Sequence, residues 1–184
     1  MVGSKLRDLS TDHLHGAGEY KMSYRFEFVH KKELENILPQ LFDILYSNMS
    51  LNYPTGCTRE EDYRIWSNSF IFSIQDEARQ LVLMLSENTI IGYFQYSVAG
   101  NMLRMEDLQI KKEFHCSGVF GIFYCWLVKQ LPQDIQKVAA YTDKRNIKVQ
   151  GILEHLGLVN CGENKNGISY LYKGDYKNLL NKYL

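Results

Sequence analysis

Three consecutive segments decide the fold: Met-Leu-Arg-Met-Glu-Asp-Leu-Gln-Ile (Met102–Ile110), Lys-Lys-Glu-Phe-His-Cys-Ser-Gly (Lys111–Gly118) and Val-Phe-Gly-Ile-Phe-Tyr-Cys-Trp-Leu-Val-Lys-Gln-Leu (Val119–Leu131). They predict a strand with a polar edge, a loop and a helix. Because the helix is apolar on all sides, it must be buried against a sheet or its neighbours. Its first N–H groups lack intrahelical partners and carry the positive end of the dipole, so they can hold a phosphate at the Ser-Gly entrance. An ordinary strand–loop–helix connection is the alternative.

Length and composition indicate one globular domain. The chain has 184 residues, of which 45% are hydrophobic and 23% are charged, as is typical of globular proteins. We expect residues 22–184 to form this domain and residues 1–21 to be a tail or a cloning remnant. The 21 basic and 21 acidic residues balance, which argues against a nucleic-acid-binding surface. No apolar run is long enough to span a bilayer, so we expect no membrane association and a cytoplasmic location.

Periodicity predicts the elements before the central strand. Tyr24–Val29 alternates polar and apolar residues, as a strand does, and an apolar helical stripe begins after Lys31. Pro39 lies inside that stripe and should kink or divide the helix. Residues 46–57 have the composition of a loop. Thr58 with Glu61 forms a capping box that opens a second helix.

The remaining elements complete a mixed, mostly antiparallel sheet flanked by helices, an α/β (α+β) fold. Residues 80–85 and 89–98 predict a hairpin that continues into Met102–Ile110. After the buried helix, a strand over 137–142 implies a right-handed crossover. A helix over 146–156 ends at Gly157, and a hairpin over 158–173 precedes a short terminal helix over 175–184. The predicted order is β-α-α-β-β-β-α-β-α-β-β.

Four cysteines are scattered along the chain, with no Cys-x-x-Cys pair. Neither a disulfide framework nor a metal site is therefore expected. Cys116 is the one thiol of interest, because a helix N-terminus lowers the pKa of a thiol. The alternative is that Cys116 is a loop residue without a chemical role.

The element order and two local motifs resemble the GNAT superfamily of acyl-coenzyme A N-acyltransferases over residues 24–173. Gly118 matches the glycine of the family's Gln/Arg-x-x-Gly-x-Gly/Ala pyrophosphate loop, although Phe120 replaces its small last residue and His115 its first. Asn146, followed by Gly157 and Leu158, matches the spacing of the family's second motif. The resemblance implies acetyl-coenzyme A as cosubstrate and no metal. It also implies that the cofactor contacts Leu108, Gln109, Ile110, His115, Cys116, Ser117, Gly118, Val119, Phe120, Gly121 and Asn146.

The resemblance also implies a general base on the central strand. Strict alternation would place Glu106 and Asp107 on opposite faces, so that only one of them can serve, and Glu106 is our choice. The structural alternative is that Glu106 pairs with Arg104 or a loop lysine. Many family members have a proton-donating Tyr where this chain has Leu153, and Tyr141 is the best remaining candidate for that role.

The acceptor site implied by the resemblance lies over the first two helices, where Tyr53, Tyr63 and Trp66 would supply aromatic walls. An aromatic stripe at helical spacing also suits a core. We therefore expect an N-acetyltransferase acting on a primary amine of a small molecule or peptide by direct transfer. The alternative is a non-catalytic domain with this fold that senses coenzyme A or binds a protein. A homodimer is left open.

Overall fold

One seven-stranded sheet with helices on both faces forms the framework of residues 23–50 and 53–183, which the computed structural model describes. The strands are β1 (Tyr24–Phe28), β2 (Arg79–Ser86), β3 (Thr89–Ala99), β4 (Met102–Ile110), β5 (Lys137–Asp143), β6 (Val159–Glu163) and β7 (Ser169–Asp175). The helices are α1 (Leu34–Met49), α2 (Arg59–Ile74), α3 (Val119–Leu127), α4 (Ile147–His155) and α5 (Tyr176–Tyr183). The predicted tail, residues 1–21, lies outside the described residues.

The sheet has the order β1-β2-β3-β4-β5-β7-β6. Strands β4 and β5 are parallel, and the other neighbours are antiparallel. The predicted mixed, mostly antiparallel sheet is thus confirmed. Within the described part of the chain, no helix is long and apolar enough to cross a membrane.

A hydrophobic core lies on each face of the sheet. The core under α3, α4 and α5 includes Phe94, Leu103, Phe123 and Val138, all nearly inaccessible to solvent. The core under α1 and α2 includes Leu41, Phe70, Leu83 and Tyr93. Neighbouring residues in β3 therefore point to different cores, as strand alternation requires.

Two helix predictions differ from the structure. Helix α1 is not divided at Pro39, which lies exposed within it. The missing N–H of Pro39 removes one hydrogen bond near the start of the helix, while Leu34, Leu38, Leu41 and Ile44 stay buried along one side. Helix α1 also continues to Met49, into the predicted loop. Helix α3 ends at Leu127 rather than Leu131, and turns follow it.

The other helix boundaries follow the local signals. The capping box of α2 is present: Glu61 N–H bonds Thr58 Oγ1 at 3.3 Å, and Thr58 N–H bonds Glu61 Oε2 at 2.9 Å. The bond from Thr58 N–H and a second one of 3.1 Å from Thr58 Oγ1, both to Glu61 Oε2, lower the pKa of the Glu61 carboxyl. Gly157 follows the last turn after α4 with φ +84°, the left-handed conformation that glycine favours at this position.

Candidate active site

The sheet opens between β4 and β5. Their parallel ladder contains only the pairs from Met102↔Lys137 to Met105↔Ala140. Beyond these pairs β4 continues to Ile110 and β5 to Asp143, with no further ladder between them among the described residues. The two strand ends therefore have backbone groups on their facing edges that a ligand can bind.

A β-bulge lies where the opening begins. Tyr96 pairs with Met105 and Gln95 pairs with Asp107, so Glu106 is the additional residue in β4. A bulge interrupts the two-residue alternation of side chains. The expectation that Glu106 and Asp107 face opposite layers is wrong, because both contact side chains on the α1–α2 side of the sheet.

Glu106 is held by residues of the two preceding strands. Its Oε1 accepts a hydrogen bond of 2.8 Å from Ser97 Oγ, and its Oε2 lies 2.9 Å from Arg79 Nε. Both side chains of this ion pair are only partly exposed. Glu106 therefore pairs with Arg79, not with Arg104 or a loop lysine, and its charge is compensated.

Asp107 lies in a different environment. Its carboxylate accepts hydrogen bonds from Tyr93 Oη at 2.8 Å and from Gln109 Nε2 at 2.9 Å. The residue keeps some accessible surface, although many protein atoms lie around its carboxyl group. Desolvation raises the pKa of Asp107, and the two hydrogen bonds oppose this shift. Desolvation, reinforced by Asp107, also raises the pKa of Tyr93 well above its ordinary value.

Helix α1 is tied to the free end of β4. Asn48 Nδ2 donates to Gln109 Oε1 and to the Ile110 carbonyl, both at 3.0 Å. His115 Nε2 lies 3.0 Å from the same Ile110 carbonyl. Asn48 Oδ1 is buried and has no hydrogen-bond partner among the described residues. These contacts hold the end of β4 between α1 and the loop Lys111–Gly118.

The loop after β4 leads into α3 through a glycine in the left-handed region. Gly118 is the N-cap of α3 with φ +81°, and a Cβ on Gly118 would meet no atom within 4 Å. Cys116 is exposed, with φ +63°. Ser117 Oγ donates to the Phe114 carbonyl at 2.8 Å. Space therefore remains in front of the helix N-terminus.

Some residues at the start of α3 and α4 face the core, and so does Leu108 of β4. Val119 is buried, and the ring of Phe120 lies 4.7 Å from that of Tyr124, against the core. Gly121 lies in the first turn of α3, and Leu108 packs against the same core. Asn146 is the N-cap of α4, where its side chain accepts a bond of 3.2 Å from Val149 N–H.

The two positions considered for a proton donor, 153 and 141, differ in side chain and in exposure. Leu153 is buried in the core beneath α4, so the position that the resemblance assigns to a Tyr carries no donor. Tyr141 lies on β5 just beyond the last pair with β4, and 58% of it is exposed. It lines a shallow hollow with Asn164, Lys165 and Asn166.

The three aromatic side chains predicted to line the acceptor site do not lie together. Tyr63 and Trp66 pack against Phe42 of α1, with ring centroids 5.2 and 5.5 Å apart, so they contribute to the α1–α2 interface. Tyr53 instead lies under the guanidinium of Arg145, whose Cζ is 4.6 Å from the ring centroid. Of the three, only Tyr53 reaches the far side of the opening.

Sequence reasoning did not identify several residues of the site. Asn48, Arg79, Tyr93, Asp143 and Arg145 were not singled out, because contacts between distant segments bring them to the site. The one local signal was Asp143-Lys144-Arg145 directly after a strand, where the carboxylate can bind the arginine two residues later. Within the described residues, no group of three or more His, Cys, Asp or Glu side chains could hold a metal ion.

Comparison with solved structures identifies the fold. The PaiA N-acetyltransferase from Thermoplasma acidophilum in complex with coenzyme A matches with a TM-score of 0.64 at 15% identity, covering 84% of this chain and 100% of that one. Aminoglycoside 6'-acetyltransferase type Ii matches with a TM-score of 0.59 at 15% identity, covering 82% and 96%. A variant of the SpeG spermidine N-acetyltransferase from Vibrio cholerae matches with a TM-score of 0.56 at 12% identity, covering 86% and 97%.

The chain therefore has the GNAT acyltransferase fold, as the sequence resemblance predicted. Neither the models of known families nor the curated proteins give a match to the sequence. At identities this low, the structural likeness establishes the fold, and the chemistry must be argued from the residues of the chain.

Proposed function

We propose that this protein is an N-acetyltransferase that moves the acetyl group of acetyl-coenzyme A to a primary amine of a small molecule or peptide. The observation that carries the proposal is the opening between β4 and β5, with two carboxylates at the bulge of β4 and the N-terminus of α3 directly after that strand. The match to a solved N-acetyltransferase in complex with coenzyme A supports it.

The loop after β4 would hold the pyrophosphate of the cosubstrate. The N–H groups of the first turn of α3 have no intrahelical acceptors and carry the positive end of the dipole. The space beside Gly118 allows a phosphate to approach this backbone. The facing edge of β4 from Leu108 to Ile110 would bind the pantetheine arm and supply a fixed amide dipole to the developing oxyanion.

In the transfer itself, the amine nitrogen attacks the thioester carbon, the C–S bond breaks, and the thiolate leaves. A carboxylate, directly or through a water molecule, can accept the amine proton. We assign this role to Asp107 in place of Glu106, because Glu106 is compensated by Arg79, whereas the pKa of Asp107 is raised. A raised carboxyl pKa moves towards the range useful for proton transfer.

Tyr141 is the candidate that would protonate the leaving thiolate, because it lies on β5 beside the opening. Tyr141→Phe removes its proton and keeps its ring. If Tyr141 is the acid, turnover should fall while affinity for acetyl-coenzyme A is unchanged. Equal loss of turnover and affinity would indicate a binding role instead.

The buried Leu153 favours a second candidate function, a domain that binds coenzyme A without catalysis, because it leaves the family's usual proton donor absent. Two measurements distinguish the candidates. Calorimetric titration with acetyl-coenzyme A tests binding, and acetylation of a broad set of primary amines tests transfer. Binding with transfer supports the enzyme, binding without any transfer supports the second candidate, and no binding at millimolar cosubstrate contradicts both.

A further inference from the structure

The last turn of α1, through Asn48, and Tyr53 beyond it contact the two edges of the opening in the sheet. On the β4 edge, Asn48 bonds the Gln109 side chain and the Ile110 carbonyl. On the β5 edge, Tyr53 lies against Arg145, which follows β5. Tyr53 N–H also bonds the Met49 carbonyl at 2.8 Å, so Tyr53 is anchored to the end of α1. Tyr53 and Arg145 therefore border the opening on its α1–α2 side.

Arg145 is held in a fixed orientation. Asp143 accepts bonds from Arg145 Nε at 3.0 Å, Nη2 at 2.9 Å and the backbone N–H at 2.8 Å. The Tyr53 ring covers one face of the guanidinium. A guanidinium that is already oriented loses less conformational freedom when it binds a ligand.

The guanidinium nevertheless has unused donors. Of its five N–H groups, Asp143 takes one on Nε and one on Nη2, and no other acceptor bonds it within residues 23–50 and 53–183. The Arg145 side chain is 65% exposed. The remaining edge has the fork geometry that matches a carboxylate.

We propose that this free edge of Arg145 binds the carboxylate of the acceptor, so that the substrate is a molecule with both a primary amine and a carboxylate, such as an amino acid. The inference rests on the proposed acetyltransferase function. Tyr141, two residues before Asp143 and thus on the same face of β5, lines the adjacent hollow with Lys165. Lys165 adds positive charge there, while Asp143 balances the charge of Arg145 and Arg79 balances that of Glu106. This surface suits an anionic group better than a polycation.

The anion that we assign to Arg145 is not a phosphate group of the cosubstrate. Arg145 packs on Tyr53, on the α1–α2 side of the sheet. The proposed pyrophosphate site is at the N-terminus of α3, on the helix that packs against the opposite face. A carboxylate on the acceptor is therefore the anion that we assign to Arg145.

The experiment compares acetylation of L-amino acids with acetylation of the corresponding amino acid amides, which have similar shape but no carboxylate. The proteins are the wild type, Arg145→Gln, Arg145→Lys, and Lys129→Gln as a control that removes an exposed charge from the segment after α3. We expect kcat/KM to favour the acids by about 10- to 100-fold, the range of a charged hydrogen-bonded contact. Arg145→Gln should remove this preference, Arg145→Lys should reduce it, and Lys129→Gln should retain it.

The outcomes separate this inference from the proposed function. Acetylation of amides or simple amines as fast as acids, or a preference that survives in Arg145→Gln, overturns the inference and leaves the acetyltransferase standing. A raised KM for acetyl-coenzyme A in Arg145→Gln, with the acid preference intact, assigns the free edge to a cofactor phosphate and also overturns it. Absence of transfer to every amine overturns both. If Arg145→Gln has a lowered melting temperature, its kinetics are set aside. The inference is then tested by the acid preference of the wild type and by whether Arg145→Lys reduces that preference.

Discussion

Tyr93 donates a hydrogen bond of 2.8 Å to Asp107 from the strand next to it. Tyr93 is inaccessible to solvent and part of the core beneath α1 and α2. The bond thus connects a buried ring to the carboxylate that lies just after the β4 bulge. Gln109 and Asn48 extend this connection to α1. Asp107 is therefore positioned by Tyr93 and Gln109, and Asn48 in turn holds Gln109. Its neighbour Glu106 is positioned by Arg79 and Ser97.

Asp107→Asn should lower turnover by ~10²–10⁴-fold, the usual effect of losing a general base. Asn keeps the shape and accepts the bond from Tyr93, but it takes no proton from the amine. Affinity for acetyl-coenzyme A should hardly change, because the proposed contacts of the cosubstrate are with backbone. Steady-state kinetics with a competent amine and calorimetry with acetyl-coenzyme A provide the measurement.

Glu106→Gln is the matched variant for that experiment. It should retain most of the turnover and lose some stability, because Arg79 is left without its carboxylate partner. The reverse result, a large loss of turnover in Glu106→Gln and little in Asp107→Asn, would return the role of base to Glu106. Retained turnover in both variants would mean that neither carboxylate accepts the proton.

The pH dependence of stability should also report on Asp107. Desolvation raises its native pKa above the ordinary 3.8, so between these two values the native state holds a proton that the unfolded chain has released. The stabilising contribution is complete below pH 3.8 and is lost as pH rises through the native pKa. Asp107→Asn cannot ionise, so its free energy of unfolding should improve relative to wild type as pH rises.

Denaturant unfolding of both proteins from acidic to neutral pH measures this difference. Asp143→Asn gives the opposite comparison, because Arg145 lowers the pKa of the Asp143 carboxyl to about 2. Its contribution is present above pH 3.8 and is lost as pH falls through about 2. A constant difference between Asp107→Asn and wild type across this pH range would contradict a desolvated Asp107.

Gly118 should matter for both stability and binding, and two substitutions separate these roles. With φ +81°, Gly118→Ala places an L residue in the left-handed region and should cost ~1–2 kcal/mol of stability. Asn adopts this conformation more readily, so Gly118→Asn should lose less stability. Its side chain would extend into the space in front of α3, so affinity for acetyl-coenzyme A should still fall.

Gly100→Ala is the control for strain alone. Gly100 lies in the β3–β4 turn with φ +56°, and a Cβ there also meets nothing within 4 Å. We expect a lower melting temperature and unchanged cosubstrate affinity. Unchanged affinity in Gly118→Asn would count against the proposed phosphate site, whereas equal affinity losses in Gly100→Ala and Gly118→Ala would attribute the effect to stability.

Features that depend on neighbouring residues could be predicted from the sequence. The capping box at Thr58 and Glu61 is one example, because both partners lie within one helical turn. The strand and helix of the central segment are another, because their periodicity is local. The order of these elements along the chain was read from the same local signals and carried the family resemblance, and the structure confirmed that fold.

The geometry of the site depended on contacts that no local pattern contains. Alternation put Asp107 on the wrong face, because the bulge at Glu106 adds a residue relative to β3 and can be seen only in the pairing of two strands. Arg79 and Glu106 lie on non-neighbouring strands, and Tyr53 meets Arg145 across the opening. Burial of the apolar stripe around Pro39 likewise outweighed the local preference to divide α1.

A last prediction concerns two glycines whose replacement by alanine should have opposite effects. Gly151 lies inside α4, where a Cβ would meet no atom within 4 Å, so Gly151→Ala should raise stability by ~0.5–1 kcal/mol through a less flexible unfolded chain. At Gly92 a Cβ would lie 2.6 Å from the Gln109 carbonyl oxygen. Gly92→Ala must push β3 and β4 apart, which should cost ~1–3 kcal/mol.

The two variants also differ in what they should do to ligand binding. Gly92 pairs with Ile110 at the end of β4, where the proposed pantetheine contacts and the Asn48 bonds lie. Gly92→Ala should therefore weaken acetyl-coenzyme A binding in calorimetry at temperatures where the variant is still folded, while Gly151→Ala should bind as wild type does. Full affinity in a folded but destabilised Gly92→Ala would show that the position of this end of β4 does not control cosubstrate binding.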